Sequence, residues 1–209
     1  MLVKHRQSAA ATVQPFVTGW GTVRRFLGLL RAKQLKWELQ NATKARPGGG
    51  ELFTDDRSRF GSALGEAVPA CDIVNLHWVA NSFLDYRGFF DVMRRRKVPV
   101  VWTMHDMNPF TGGCNYSGGC ERYVTGCGCC PQLGSENQHD LSCRVLRRKA
   151  AVFQDMHERG ALSIVSPSRW LAALARKSCL LSRFPVHVLP NAVDADCFRP
   201  LAGTGFNEA

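Results

Sequence analysis

Five cysteines stand within residues 111–131, TGGCNYSGGCERYVTGCGCCP, among six glycines. Four of them follow the spacing C-x5-C-x6-C-x2-C: Cys114, Cys120, Cys127 and Cys130, with Cys129 outside the pattern. The pair Cys127 and Cys130 has the two-residue spacing of a zinc knuckle, and glycines beside it permit the tight turns that aim sulfurs at one point. Four thiolates would close a tetrahedral structural zinc site and leave no open position for catalysis. Free thiols, disulfide pairs and a redox role are the alternatives that spacing leaves open. The first spacing is longer than usual for such a site.

A second set of reactive residues follows the apolar runs. The stretch VPVVWTMHD ends in His105, whose imidazole can act as donor or acceptor at a strand end. A histidine bonded to a nearby loop carbonyl would read the same way. Asp106 points elsewhere if the strand continues, because neighbouring side chains alternate. His77 and Trp78 stand near the end of CDIVNLHWV, where packing is the plainer role. Asn108 follows His105; Ser168 ends ALSIVSPS and Arg169 follows it; Asn191 and Asp194 follow FPVHVLP.

These positions make sense only if the runs before them are strands of one sheet. Four runs read as buried strands: 71–79, 98–106, 161–168 and 184–190. Helical patterns alternate with them at 81–97, 140–160 and 168–182, with Ser168 as N-cap of the last. This alternation predicts an α/β fold, a Rossmann-like parallel sheet with helices on both faces. Ligands then bind beyond the carboxyl ends of the strands, where His77, His105, Ser168 and Asn191 fall. A short strand is expected at residues 1–5 and a flexible turn at 46–51. A helix over 16–39 carries Phe16, Trp20, Val23, Leu27, Leu30 and Trp37 on one row. Arg24, Arg25, Arg31, Lys33 and Lys36 share that helix with Glu38. Such a helix either packs on the core or rests on an anionic membrane surface.

The net charge of +10 favours anionic partners. Residues 1–16 contain no apolar core of a signal peptide, and no run is long enough to span a bilayer. A reducing cytoplasm, with peripheral contact at the inner membrane face, is the expected location. Phosphate-loop, zinc-protease and nucleophile-elbow patterns are missing. Basic residues do not interleave with aromatics as in RNA-binding modules, so no nucleic-acid partner is expected.

The segments DIVNLHWV, PVVWTMHDMNPFTGGCNYSGGCERY, GCGCCPQLGS, SIVSPSRWLA and VLPNAVDADCFRP resemble the N-terminal half of bacterial family 4 glycosyltransferases, in particular those of colanic-acid and other exopolysaccharide pathways. The resemblance runs from about residue 51 to 200, with a weaker trace at MLVKH. It implies a GT-B architecture, with two Rossmann-like domains facing across a cleft. The N-terminal domain receives a glycan or lipid-linked acceptor, and the C-terminal domain holds a nucleotide sugar. Transfer proceeds with retention and without a catalytic metal or other cofactor. His105 corresponds to the histidine that approaches the donor sugar. His77, Trp78, Asp106, Asn108, Ser168 and Arg169 become candidate substrate contacts, and Asn191 and Asp194 belong to the hinge. Ala192 stands where the family usually has glycine.

The chain departs from this pattern at both ends. The family's opening strand and Gly-rich turn have no counterpart, nor does the nucleotide-sugar domain. Residues 1–200 are therefore expected to form the acceptor-side domain, with residues 201–209 a frayed tail. With the residues that neutralise the departing diphosphate missing, the isolated chain is expected to be inactive. The alternative is a non-enzymatic, metal-stabilised binding or assembly module that complements a separate C-terminal half. In either case the cysteine loop would brace the rim of the acceptor cleft.

Overall fold

A computed structural model describes residues 2–3, 9–48 and 51–199. The proposed frayed tail at 201–209 lies outside the described residues, as do Met1, Lys4 and His5 of the first expected strand. Leu2–Val3 (β1) pairs in parallel with Gln14–Pro15 (β2), and these two strands form a small sheet of their own.

The long helix Thr22–Ala42 (α1) starts later than its apolar row suggests. Phe16 and Trp20 precede it and pack on Phe60, with ring centroids 5.1 and 6.2 Å away. Gly28 is where Trp20 crosses the helix: a Cβ there would meet the indole ring at 2.6 Å. The single turn Ala63–Glu66 (α2) follows.

The main sheet is Val74–Leu76 (β3), Val100–Thr103 (β4), Leu162–Ser166 (β5) and Val186–Val188 (β6). All neighbours are parallel, in the order β3-β4-β5-β6. The crossovers are Tyr86–Arg96 (α3), Leu141–Glu158 (α4) and Arg169–Lys177 (α5). This is the expected α/β, Rossmann-like parallel sheet, but its three crossover helices lie on one face and not on both as expected.

Each boundary has a local cause. Asn81 and Ser82 adopt positive φ (57° and 56°), which delays α3 beyond the expected start. Asp85 then caps it, accepting from Gly88 N at 3.0 Å. Asp140 caps α4 through Cys143 N at 3.1 Å, and Ser168 caps α5 through Leu171 N at 3.2 Å.

The strands alternate. Leu76, Val100, Trp102, Leu162, Ile164 and Val186 are buried in one core with Phe89 and Phe90 of α3, Phe153 of α4 and Leu171 of α5. All three crossover helices therefore pack on this one face, as a sheet in sequential order with right-handed crossovers requires. The opposite face, with Asn75, Val101, Thr103, Ser163, Val165 and His187, is half-buried or exposed. Phe90, Trp102 and Phe153 form the centre of the core, with ring centroids 6.0 to 6.2 Å apart.

Candidate active site

The carboxyl ends of β3 and β4 lie side by side, because Leu76 is in register with Trp102. One residue beyond Leu76 and three beyond Trp102, His77 and His105 come together. Their rings stack with centroids 5.3 Å apart, and His77 Nδ1 lies 3.0 Å from His105 Nε2. One nitrogen must donate and the other accept, so both rings cannot be doubly protonated in this geometry. Both histidines are exposed. The remaining ring nitrogens are available to a ligand.

The residue after each histidine turns to its counterpart: Trp78 stays half-exposed and Asp106 is buried. Trp78 Nε1 donates to Asp106 Oδ2 at 2.8 Å. Asn108 N donates to Asp106 Oδ1 at 2.9 Å. Burial pushes the Asp106 carboxyl above the ordinary carboxylate range, against these donors. The exposed histidine pair thus stands beside a lock between the half-exposed Trp78 indole and the buried Asp106 carboxylate.

Asn108 is equally committed inside the protein. Its Nδ2 donates to Gly113 O at 3.0 Å, and its Oδ1 accepts from Tyr86 Oη at 3.2 Å. Behind it lies Lys149 of α4, which is fully buried. Lys149 Nζ donates to Asn108 O at 2.5 Å and Thr111 O at 3.1 Å, and it stands 5.0 Å from the Tyr86 ring. Burial lowers this ammonium to about 8. Lys149 therefore clamps the segment after β4 from beneath. Its role is not legible in the sequence, because its partner Asn108 lies 41 residues away.

A second buried network holds the neighbouring wall. Arg148 Nε donates to both carboxylate oxygens of Asp56 at 2.9 and 3.1 Å, and its Nη2 reaches Asp55 at 3.1 Å. Asp55 also pairs with Arg57, which reaches Glu38 of α1. Burial pushes the Asp55 carboxyl up, but Arg57 and Arg148 together outweigh this and hold it below the ordinary range. The only sequence signal for this wall was the unremarked doublet Asp55-Asp56.

The other strand-end candidates do not join the histidine pair. Ser168 is occupied as the α5 cap, and Arg169 is exposed beside it. Asn191 and Asp194 are exposed after β6, where Asp194 accepts from Asp196 N and Cys197 N at 3.0 and 3.2 Å, a local turn. The histidine site itself is a depression of about 10 Å³ lined by His77, Trp78, His105 and Asp106 among others. That volume suits about one water, far below the roughly 300–1,000 Å³ that encloses a small ligand.

The four cysteines of the spaced set line one cavity beyond this site, considered below. Cys114 and Cys130 share a hydrogen bond, which lowers the Cys130 thiol to about 6 and raises Cys114.

Among curated proteins, 129 residues align at 35% identity with "Putative colanic acid biosynthesis glycosyl transferase WcaC" of Escherichia coli (strain K12). The chain is similar to a glycosyltransferase. The alignment covers 58% of this chain and 31% of that protein, so the chain spans about a third of the relative it matches. No family model and no solved structure matches the chain. Among the described residues, no helix is long and apolar enough to cross a membrane.

Proposed function

We propose that this chain is the acceptor-side part of a retaining, nucleotide-sugar-dependent glycosyltransferase of the GT-B type and family 4, acting in exopolysaccharide biosynthesis. The observation that carries the reading is the exposed His77–His105 pair at the carboxyl ends of adjacent parallel strands. It occurs in a chain similar to a protein named for colanic acid biosynthesis. A depression of about 10 Å³ is half a site: it offers hydrogen-bonding nitrogens but needs a facing wall to enclose a sugar. His105 meets the transferring sugar, and His77 holds its ring and tautomer. Trp78, Asp106 and Asn108 position that pair, in place of contacting substrate directly. Residues 1–200 act as one domain, with Asn191 and Asp194 leading toward a nucleotide-sugar domain, and Ser168 and Arg169 at the rim. No cofactor enters the transfer step.

The chain alone should not turn over nucleotide sugars, because among the described residues no Lys or Arg lines the histidine site to neutralise a departing diphosphate. With a complementing nucleotide-sugar domain, transfer to a lipid-linked glycan should appear, and His105→Ala should lower kcat by about 10²-fold or more. His77→Ala should have a smaller effect. Nucleotide-sugar turnover by the chain alone, or full activity of His105→Ala in the complemented enzyme, would overturn this reading.

A lipid-linked acceptor is favoured by α1. Its face at Gly28 and Leu35 is buried, while Val23, Phe26, Leu27, Leu30 and Trp37 are exposed, with Arg25, Lys33 and Lys36 also in solvent. The part of the apolar row within α1, Val23 to Trp37, therefore points outward, while Phe16 and Trp20 pack on Phe60. Apolar side chains flanked by cations suit the surface of an anionic bilayer, which supports a peripheral position at the inner face of the cytoplasmic membrane.

A further inference from the structure

We propose that Cys114, Cys120, Cys127 and Cys130 bind one zinc ion, which closes the loop after β4 into a structural clip beneath the histidine site. The inference is independent of the sugar-transfer reading.

The sulfur-bearing residues are sorted by the fold as a metal site requires. These four cysteines line one cavity of about 20 Å³, roomy enough for one water-sized guest and so for a bare ion. Cys129, between two of them in sequence, is turned away: its φ is 44° and its Sγ donates to Glu136 O at 3.1 Å. Cys71, Cys143, Cys179 and Cys197 do not line the cavity. The loop has thus selected the C-x5-C-x6-C-x2-C set and rejected its nearest competitor.

The backbone is already shaped around that set. Gly126 and Gly128 adopt φ of 154° and 142° on either side of Cys127. A Cβ on Gly128 would meet Gln138 O at 2.4 Å. Backbone N–H groups of Gln132 and Leu133 are directed at the Cys130 sulfur, and that of Gly112 at the Cys127 sulfur. Such donors support thiolates and orient metal ligands from behind. A four-thiolate zinc site carries two excess negative charges; the buried Lys149 ammonium lies near Cys114 and Cys127. As placed, no three His, Cys, Asp or Glu side chains among the described residues form a ready-made cage. Closing it requires the thiols to rotate inward from the cavity wall, with the backbone turns left in place.

The clip would act on the site through short connections. Thr111 Oγ1 donates to Cys114 O at 2.7 Å, and Asn108 Nδ2 to Gly113 O at 3.0 Å. At the other end Cys130 N donates to Asp140 Oδ2, the cap of α4, at 2.8 Å. One ion would therefore join the end of β4 to the start of α4.

The test is metal content of the full chain, purified under reducing conditions without chelator. One zinc per chain is expected by elemental analysis. Replacement with cobalt should give the thiolate-to-cobalt charge-transfer absorption and the intense visible bands of a tetrahedral site. Cys120→Ser and Cys127→Ser should lose the metal, and Cys129→Ser should keep it. Should the Ser variants fail to fold, the stoichiometry and cobalt spectrum of the unaltered chain decide. Metal-free protein with free thiols, disulfides between these cysteines by peptide mapping, or equal metal loss from Cys129→Ser would each overturn the proposal.

Discussion

The loop between β4 and α4 and the helix α1 differ in an unexpected direction. The loop has only single turns of 3-10 helix, at Asn108–Phe110, Arg122–Val124 and Pro131–Leu133. Yet Asp106 through Asn115 are all buried, and their polar groups are largely bonded within the protein. By contrast α1 is the longest regular element, and only Gly28 and Leu35 of it are buried. Regular hydrogen bonding satisfies a backbone but does not integrate a segment; burial and side-chain bonds do that. The irregular loop belongs to the site, whereas the regular helix presents a surface.

The strongest test of this contrast strips the support beside the loop. Arg148→Met leaves Asp55 and Asp56 buried without their shared cation, which should cost about 3–5 kcal/mol. Urea denaturation of the variant should show it; an unchanged midpoint would mean the network is ornamental. Acid provides a gentler version. Because Asp55 is held below the ordinary range in the folded state, its contribution is present above about pH 4 and is lost as pH falls through the folded value. The thermal midpoint should therefore fall as pH drops below about 4, and Asp55→Asn should flatten that part of the profile. The smallest effect on stability belongs to α1. Leu27→Ser with Trp37→Ser should change it by no more than about 0.5 kcal/mol each. The same pair should abolish sedimentation with anionic phosphatidylglycerol vesicles. A large loss of stability would show that this face packs within the protein, and unchanged sedimentation would remove the membrane role.

The sequence carried the sheet because its signals are local. Apolar runs bounded by turn residues mark β3 to β6, and Ser168 marks the start of α5, whereas the cap Asp85 fell inside a helix expected from residue 81. The observed strands are shorter than the runs, since Ile73, Trp78 and Leu189 lie outside the ladder and in solvent. His105 was legible from its place at a strand end. Its partner His77 was rated as packing, because nothing local tells that registers bring residues 77 and 105 together. Lys149 and the Asp55–Arg148 pair were invisible for the same reason: the partners lie 41 and 93 residues apart. The outward turn of α1 was also unreadable, because an amphipathic pattern gives a face but not its direction.

The order β3-β4-β5-β6 also bears on how the chain reaches this state. Each strand hydrogen-bonds to its immediate predecessor in the sequence, so pairing can proceed in step with synthesis, from the amino end onward. The join from β4 to β5 encloses the longest intervening stretch, and its closure entropy makes it the slow event of assembly. Whatever fastens residues 114 to 130 early would shorten that search before the second half of the sheet has left the ribosome.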